Sequence, residues 1–278
     1  MTRAMPIRAV DMSLDRLAFG ALWAGERLLG RAFAARAVRP LKDRVAARVR
    51  ESTIPGARQE LERVEGFSAE VFERDYYRRG RPVVFSGAAR GWPCVQRWSP
   101  EFFGSRSSSG LIEGGLLSQH PELTAMLGAE FGSALRKLTR APGAPELVMG
   151  SAGANTGLRA AMTNDLFVQV YGQADWTLVH PSQSALCKPV CESRPTFRSE
   201  LTAAEVARLP GWQASLQPGD ILYLPPFYWH SVLSPTFSIG VAHRWLAVVP
   251  AVRTSVSMAL LALLATHPSP IASLIRPR

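Results

Sequence analysis

The residue most able to do chemistry in this chain is His230, which lies near the end of an unusual segment at residues 218–232. That segment begins with Pro-Gly-Asp, continues as an apolar stretch and reaches the histidine through two consecutive prolines and an aromatic run. Neutral imidazole is the commonest metal ligand in proteins. The pattern of this segment is specific enough to make His230 the first residue to consider as a candidate ligand.

The three cysteines do not form a second site. Cys187 and Cys191 have no further cysteine or histidine pair nearby, so a structural zinc site is not expected. An odd number of cysteines in a chain of this length argues against a disulfide framework. We expect a reducing, cytoplasmic compartment.

The elements that must position the site are strands. Short β-prone runs, separated by glycine, proline and polar turns, occupy residues 146–149, 166–171, 175–179, 212–216, 221–224, 230–233 and 237–247. Two helical patterns precede them, one from Ser68 to Gly80 and another over residues 121–138, and an apolar helical pattern from Val252 to Ala265 follows them. Many short strands between helical flanks predict a mainly β barrel or sandwich with helices added at both ends.

The N-terminal 55 residues form a basic helical arm. Residues 1–50 carry eleven Lys and Arg against four Asp and Glu, which is most of the net charge of +10. The apolar positions from Leu17 to Phe33 share one helical stripe. We interpret this stripe as packing on the domain or on a second subunit. The alternative is an interfacial helix on anionic lipid, with Phe19 and Trp23 in the membrane surface. Because the basic charge lies on the arm and not on the main domain, no nucleic-acid partner is expected.

The segment that ends at His230 resembles the distal-histidine segment of the JmjC-like, cupin-8 family of the iron and 2-oxoglutarate oxygenase superfamily. Three further stretches support this resemblance in the family's order: 62–93 with RGRPVVF and GAARGWP, 164–178 with NDLFVQVYG, and 237–245. The resemblance implies a double-stranded β-helix, or jelly roll. It also implies three parts: the arm at 1–55, the cupin domain at 56–249, and a C-terminal helix and tail at 250–278.

Enzymes of this family hold iron with two histidines and an acid, which leaves positions open for 2-oxoglutarate and oxygen. By the resemblance, His230 matches the distal ligand. Arg159 and Ala161 stand where the family has the first histidine and the acid, and the 2-oxoglutarate lysine falls near Ala174. At ~4 Å and an effective dielectric of ~20, a guanidinium repels a divalent ion by about 8 kcal/mol. Ordinary iron binding should therefore fail.

The cation at position 159 suggests another use. Arg159 could hold a carboxylate or phosphate, with Thr156 and His230 completing an anion pocket. Alternatively, Arg159 forms a structural ion pair with Asp165.

His243 is a second candidate metal ligand. It alternates in phase with Phe237, Ile239 and Val241, so we expect it to face the barrel interior, where it could bind a metal together with His230. The alternative is an ordinary core histidine.

Two hypotheses on function follow. The first is a non-catalytic cupin that binds an anionic small molecule or peptide. The second is an active non-haem iron dioxygenase, a hydroxylase of a peptide or small molecule, with iron, 2-oxoglutarate and an atypical metal site that uses His230. In either case the apolar C-terminal helix, which includes Met258 and Leu261, needs cover, so we expect a homodimer.

Overall fold

A computed structural model of the chain describes residues 14–28, 34–52, 58–104, 111–113, 117, 121–128, 144–191, 196–246 and 248–265. Its centre is a pair of seven-stranded sheets. Sheet A has the order β1-β11-β8-β13-β6-β10-β9, and sheet B the order β2-β3-β12-β7-β14-β5-β4. The strands are β1 (Gln59–Glu60), β2 (Arg63–Glu65), β3 (Val83–Ser86), β4 (Leu111–Glu113), β5 (Glu146–Gly150), β6 (Arg159–Ala161), β7 (Thr163–Tyr171), β8 (Ala174–Val179), β9 (Pro189–Cys191), β10 (Thr196–Ser199), β11 (Trp212–Leu216), β12 (Ile221–Leu224), β13 (Trp229–Leu233) and β14 (Ser238–Leu246).

The predicted mainly β fold with helices at both ends is confirmed. Each of the seven predicted strands is present, and the largest boundary difference is at β7, which begins three residues earlier than predicted. The strands β1, β2, β4, β6, β9 and β10 were not predicted. They are two to four residues long, and β6 reads Arg-Ala-Ala, which has no β-branched or aromatic residue to signal a strand.

The helices lie outside the two sheets. They are α1 (Leu14–Leu28), α2 (Arg39–Ser52) after a π-helical turn at Ala34–Val38, α3 (Ala69–Val71) continuing into the π-helical Phe72–Tyr77, α4 (Pro93–Arg97), α5 (Pro100–Phe103), α6 (Pro121–Thr124), α7 (Ala203–Ala207), α8 (Val248–Thr254) and α9 (Val256–Ala265), with a 3-10 turn at Pro181–Leu186. Ser68 caps α3 as expected, since its side chain accepts from the Val71 N–H. Of the predicted helix at 121–138, only the four-residue α6 is helical among the described residues, since residues 125–128 form a turn, and the part beyond residue 128 lies outside the described residues. No described helix has both the length and the apolar character needed to span a bilayer.

One face of α1 packs against sheet A of its own chain. Phe19 and Trp23 are buried there, and the Trp23 ring lies 5.2 Å from that of Phe197 on β10. The predicted stripe forms only the edge of this face, since Ala18 and Leu22 are partly buried and Ala21 is exposed. The two aromatic residues that the interfacial alternative placed in lipid are therefore interior residues. The same cluster includes Met258 and Ala262 of α9.

The division of the chain at residues 55 and 249 stays a prediction, and residues 53–57, where the first boundary falls, lie outside the described residues.

Three apolar layers result from this arrangement. The middle layer fills the space between the sheets and includes Phe167 and Trp176. The layer outside sheet A holds α1, α2 and α9, and the layer outside sheet B holds the π-helical Phe72–Tyr77 and α4. Both faces of sheet B are therefore buried, so a buried side chain on β14 can lie either in the middle layer or in the layer outside sheet B.

The Pro-Gly-Asp turn before β12 is a structural device. Gly219 adopts a φ of 93°, a left-handed value that glycine tolerates best. The buried Asp220 carboxylate accepts hydrogen bonds from the backbone N–H groups of Gly87 and Gln217, and it pairs with Arg63 at 3.0 Å. The turn thereby joins β12 to the β2–β3 region and fixes the strand that leads to His230.

Candidate functional site

A pocket lies between the two sheets and contains most of the residues predicted to form a site. It encloses about 480 Å³, including the solvent at its opening. Thr156, Arg159, Asp165 and His230 all line it, and Arg244 lines it as well. The aromatic wall consists of Phe167 and Trp176, whose ring centroids are 4.9 Å apart.

His230 enters the pocket from the start of β13. The preceding turn holds Phe227 at a φ of 65°, a left-handed value that is unfavourable for a non-glycine residue, and the Phe227 N–H donates to the Ala161 carbonyl at 2.7 Å. This hydrogen bond joins the double-proline turn to β6. Trp229 packs in the layer outside sheet A, so by strand alternation the next side chain, His230, points inward.

The imidazole of His230 is neutral. Its Nδ1 lies 3.0 Å from the Tyr228 carbonyl oxygen, and because a carbonyl only accepts, Nδ1 carries the proton and Nε2 keeps its lone pair. Burial, together with the nearby charge of Arg159, lowers the pKa of His230 to about 3. Trp176 flanks the ring at a centroid distance of 5.8 Å.

Arg159 is the direct cross-strand neighbour of His230. The register of β13 against β6 pairs these two residues, and Ala160 between Arg159 and Ala161 packs in the layer outside sheet A. Arg159 and Ala161 therefore share the inward face, as His230 does. The two positions that carry the first histidine and the acid in the family's iron site, by resemblance, hold a guanidinium and a methyl group beside His230.

The buried carboxylate of Asp165 is held by Arg244. Arg244 Nε donates to Asp165 Oδ2 at 3.1 Å, and the same guanidinium also pairs with Glu146. Burial raises the pKa of Asp165, while the charges of Arg244 and Arg159 oppose that shift. The predicted alternative of an Arg159–Asp165 ion pair is therefore replaced by an Arg244–Asp165 pair, and Arg159 acts on Asp165 through its charge.

Two polar atoms of the pocket lining have no hydrogen-bond partner among the described residues. They are Asp165 Oδ1, an acceptor, and Trp176 Nε1, a donor. A buried polar group left unsatisfied costs about 1–3 kcal/mol, so water or a ligand is expected to contact such groups.

Thr156 lines the pocket, but its hydroxyl is already used. Its Oγ1 accepts from the Val232 N–H at 3.0 Å and donates to the Gly157 carbonyl at 3.1 Å. The side chain fastens the end of β13 to the preceding loop. The anion-pocket hypothesis expected this hydroxyl to contact a bound anion, but its one proton is already donated to the Gly157 carbonyl.

His243 does not face the pocket, and this expectation was wrong. It is in phase with Ile239 and Val241, as its sequence position indicated, but those residues belong to the layer outside sheet B. Its neighbours Ala242 and Arg244 face the other sheet. Burial lowers the pKa of His243 to about 4, so it is a neutral core histidine. His230 lies between the two sheets, whereas His243 lies on the outer side of sheet B, so the two histidines cannot bind the same metal ion.

The donor set of the pocket does not fit an iron centre. Within the described parts of the chain, no group of three or more His, Cys, Asp or Glu side chains is placed to hold a metal ion. The pocket offers one imidazole and one carboxylate, the carboxylate is paired with Arg244, and two guanidinium groups line the same space. By the resemblance, the lysine that binds 2-oxoglutarate in the family falls near Ala174, which is a buried residue of the pocket lining.

Sequence reasoning missed Arg244 and Trp176. Arg244 is the one formally charged residue of β14, and a charge within a buried apolar strand is a signal that could have identified it. Trp176 had no such signal, because an aromatic residue in a buried strand is ordinary.

Comparison with known proteins agrees with this architecture. Residues 111–248 match the family described as "Cupin-like domain". A stretch of 114 residues is 30% identical to Jumonji C domain-containing protein 5 of Drosophila melanogaster, covering 37% of this chain and 28% of that protein. A longer stretch of 234 residues is 25% identical to the lysine-specific demethylase JMJ30 of Arabidopsis thaliana, covering 66% of this chain and 54% of the relative. The chain thus spans about half, or less, of the length of these curated relatives.

Among solved structures, the chain is similar to the ribosomal oxygenase YcfD of Escherichia coli. The TM-score is 0.45 at 16% identity, over 68% of this chain and 53% of that one. A structure of YcfD in complex with cobalt and 2-oxoglutarate gives a TM-score of 0.41 at 16% identity, over 64% and 51% of the two chains. The matched family, the two JmjC-type relatives and the two-sheet architecture lead to one conclusion: residues 111–248 of this chain are a cupin-like domain of the JmjC-like, cupin-8 family.

Proposed function

We propose that this protein is a non-catalytic member of its family that binds an anionic small molecule, or an anionic group of a peptide, in the pocket between the sheets. The observation that carries the proposal is the position of Arg159. Its backbone is paired directly with that of His230, and its side chain lines the same pocket.

The charges of the pocket support an anion rather than a metal ion. Among the lining residues Arg159 and Arg244 are positive, Asp165 is negative and His230 is neutral, and Arg244 pairs with Asp165 and with Glu146. The guanidinium of Arg159 beside His230 would repel a divalent cation at this position, whereas it would attract an anionic group. A guanidinium is also the side chain best suited to bidentate recognition of a carboxylate or phosphate.

The pocket also has features of a small-molecule site. It is concave, one side is formed by the aromatic residues Phe167 and Trp176, and a few polar groups converge on it. Gly240 keeps this wall close, because a Cβ at that position would lie 2.1 Å from the Phe167 ring.

The test compares metal and anion binding directly. Metal content is measured on protein purified without chelators, and thermal shift is then recorded with ferrous iron or manganese, each with and without 2-oxoglutarate, under anaerobic conditions. We expect no stoichiometric metal and no stabilisation that requires metal and 2-oxoglutarate together. Phosphate or simple carboxylates are expected to stabilise the wild type and not the Arg159→Ala variant.

The control variant is Arg208→Ala, which removes an equal charge from an exposed position at the end of α7. It should respond to anions as the wild type does. Stoichiometric iron together with 2-oxoglutarate-dependent stabilisation would overturn the proposal in favour of the second hypothesis, an active iron-dependent hydroxylase.

A further inference from the structure

We infer that the ligand of this pocket is a small hydroxy acid, whose hydroxyl group is held at the buried part of the lining by Asp165 and Trp176. The inference rests on the proposed function, which accounts for the acid group, and it adds a second recognition element that a simple carboxylate lacks. The observation that carries it is the presence of buried polar atoms that the protein itself leaves unsatisfied.

The first of these atoms is an acceptor, Oδ1 of Asp165. Asp165 is 95% buried and lines the pocket, and Arg244 contacts its other carboxylate oxygen, Oδ2. Oδ1 has no hydrogen-bond partner among the residues that the structure describes. A carboxylate paired with a guanidinium accepts at both oxygens, so only a group that brings an O–H or N–H can satisfy Oδ1.

The second atom is a donor, Nε1 of Trp176. Trp176 is 96% buried and lines the same pocket, with its ring 4.9 Å from that of Phe167 and 5.8 Å from that of His230. Its Nε1 has no hydrogen-bond partner in the described part of the chain. Because an indole N–H only donates, it requires an acceptor on the ligand.

His230 adds a further acceptor to the lining. Its Nδ1 donates to the Tyr228 carbonyl, so Nε2 of the neutral ring can only accept. A ligand made only of acceptors, such as a simple carboxylate or a keto acid, would place its lone pairs against those of Asp165 Oδ1 and His230 Nε2. The lining therefore favours a ligand that carries a donor beside its acid group.

The donor that fits this lining is a neutral hydroxyl. Arg244 lies 3.1 Å from Asp165 and also pairs with Glu146, so the buried carboxylate does not require a second cation. A hydroxyl both donates and accepts, which matches one unsatisfied acceptor and one unsatisfied donor. The pocket volume of about 480 Å³, which includes solvent at the opening, suits an acid of a few carbon atoms.

The experiment compares four three-carbon acids that differ only at C2: lactate has a hydroxyl, pyruvate a keto oxygen, alanine an ammonium, and propionate no polar group. Binding to the full-length, ¹⁵N-labelled protein is followed by NMR at the tryptophan indole N–H signals. We expect lactate to bind ten-fold or more tightly than pyruvate and propionate, because it alone of the three can donate to a charged acceptor. Lactate should also bind more tightly than alanine.

Two matched tryptophan variants test the indole contact. Trp176→Phe removes the donor, keeps an aromatic ring, and should weaken lactate binding about five-fold. The indole signal that this variant loses belongs to Trp176, and in the wild type it should shift on addition of lactate. Trp245→Phe is the control, because Trp245 is also buried with an unsatisfied Nε1 but packs in the layer outside sheet B. It should leave lactate binding unchanged.

Asp165→Asn tests the acceptor. The amide oxygen is expected to face Arg244, which leaves an N–H₂ donor in the place of Oδ1. The preference for lactate over pyruvate should then disappear or reverse, because a keto oxygen accepts from an amide. Urea unfolding checks that this variant is folded, and the ligand series on the wild type and on Trp176→Phe does not depend on it.

The outcomes separate this inference from the proposed function. If lactate, pyruvate and propionate bind equally, and all three lose affinity in Arg159→Ala, the hydroxyl inference is wrong and the anion pocket stands. Tighter binding of alanine than of lactate, or a lactate preference that survives both Asp165→Asn and Trp176→Phe, would also overturn the inference. If none of the four acids binds although phosphate does, only the inference fails, and if phosphate does not bind either, the proposed function fails with it.

Discussion

The Arg244–Asp165 ion pair is the interaction by which the pocket tolerates a buried carboxylate, and replacing Arg244 by Met tests this directly. Asp165 is 95% buried, and its Oδ2 lies 3.1 Å from Nε of Arg244, whose own side chain is 28% exposed. Removing one partner of a buried pair costs about 3–5 kcal/mol, and the partial exposure of Arg244 places this pair near about 3 kcal/mol. With an unfolding entropy of roughly 2.1 cal/mol/K per residue, this loss lowers Tm by about 5 °C.

The effect should depend on pH in a defined direction. Burial already raises the folded-state pKa of Asp165, and loss of Arg244 raises it further. An acid with a raised folded-state pKa destabilises the fold when it is ionised, and this penalty disappears as the pH falls towards the unfolded value of roughly 4. The difference between wild type and Arg244→Met should therefore be large at pH 8 and shrink at pH 4.5.

The assay is urea unfolding followed by tryptophan fluorescence at both pH values. Arg78→Met is the matched control, because Arg78 pairs with Glu73 at 2.6 Å on the surface, where the two side chains are 68% and 41% exposed. Adding Asp165→Asn to Arg244→Met should recover part of the loss. The reasoning would be refuted if Arg244→Met cost no more than Arg78→Met, or if its cost were the same at both pH values.

Three further predictions follow from the described contacts. Trp23→Ala should destabilise the protein by about 3–5 kcal/mol in the same unfolding assay, because the ring is buried against Phe197; a loss under 1 kcal/mol would mean that α1 is not part of the folded core. Burial holds the pKa of His230 at about 3, below its unfolded value, so the free energy of unfolding should fall as the pH drops below about 6.5. The loss should reach about 2 kcal/mol at pH 5, and His230→Gln should flatten this pH dependence. The apolar surface that includes Leu246, Val249 and Val256, which are 58%, 59% and 54% exposed, should be covered in a homodimer. Light scattering after size exclusion should show a dimer for the wild type and a monomer for Val249→Asp, and a monomeric wild type would contradict the prediction.

The sequence alone located seven of the strands and indicated the family to which the fold belongs. Short β-prone runs between glycine and proline turns locate seven of the strands because side-chain type and turn chemistry act locally. The segment leading to His230 and the substitution of Arg159 and Ala161 are also readable from sequence, since they depend only on residue type and position within a family pattern. These features were enough to place Arg159, Asp165 and His230 in one site.

Only the tertiary structure decided which groups meet. The alternation of β14 shows that His243 and Arg244 point to opposite faces, but it does not show which face looks towards the other sheet, because helices bury the outer face as well. The pairing of Asp165 with Arg244, and that of Arg159 with His230, depend on strand register between segments far apart in the chain. Register is set by long-range packing, so no local pattern of residues could have specified these contacts.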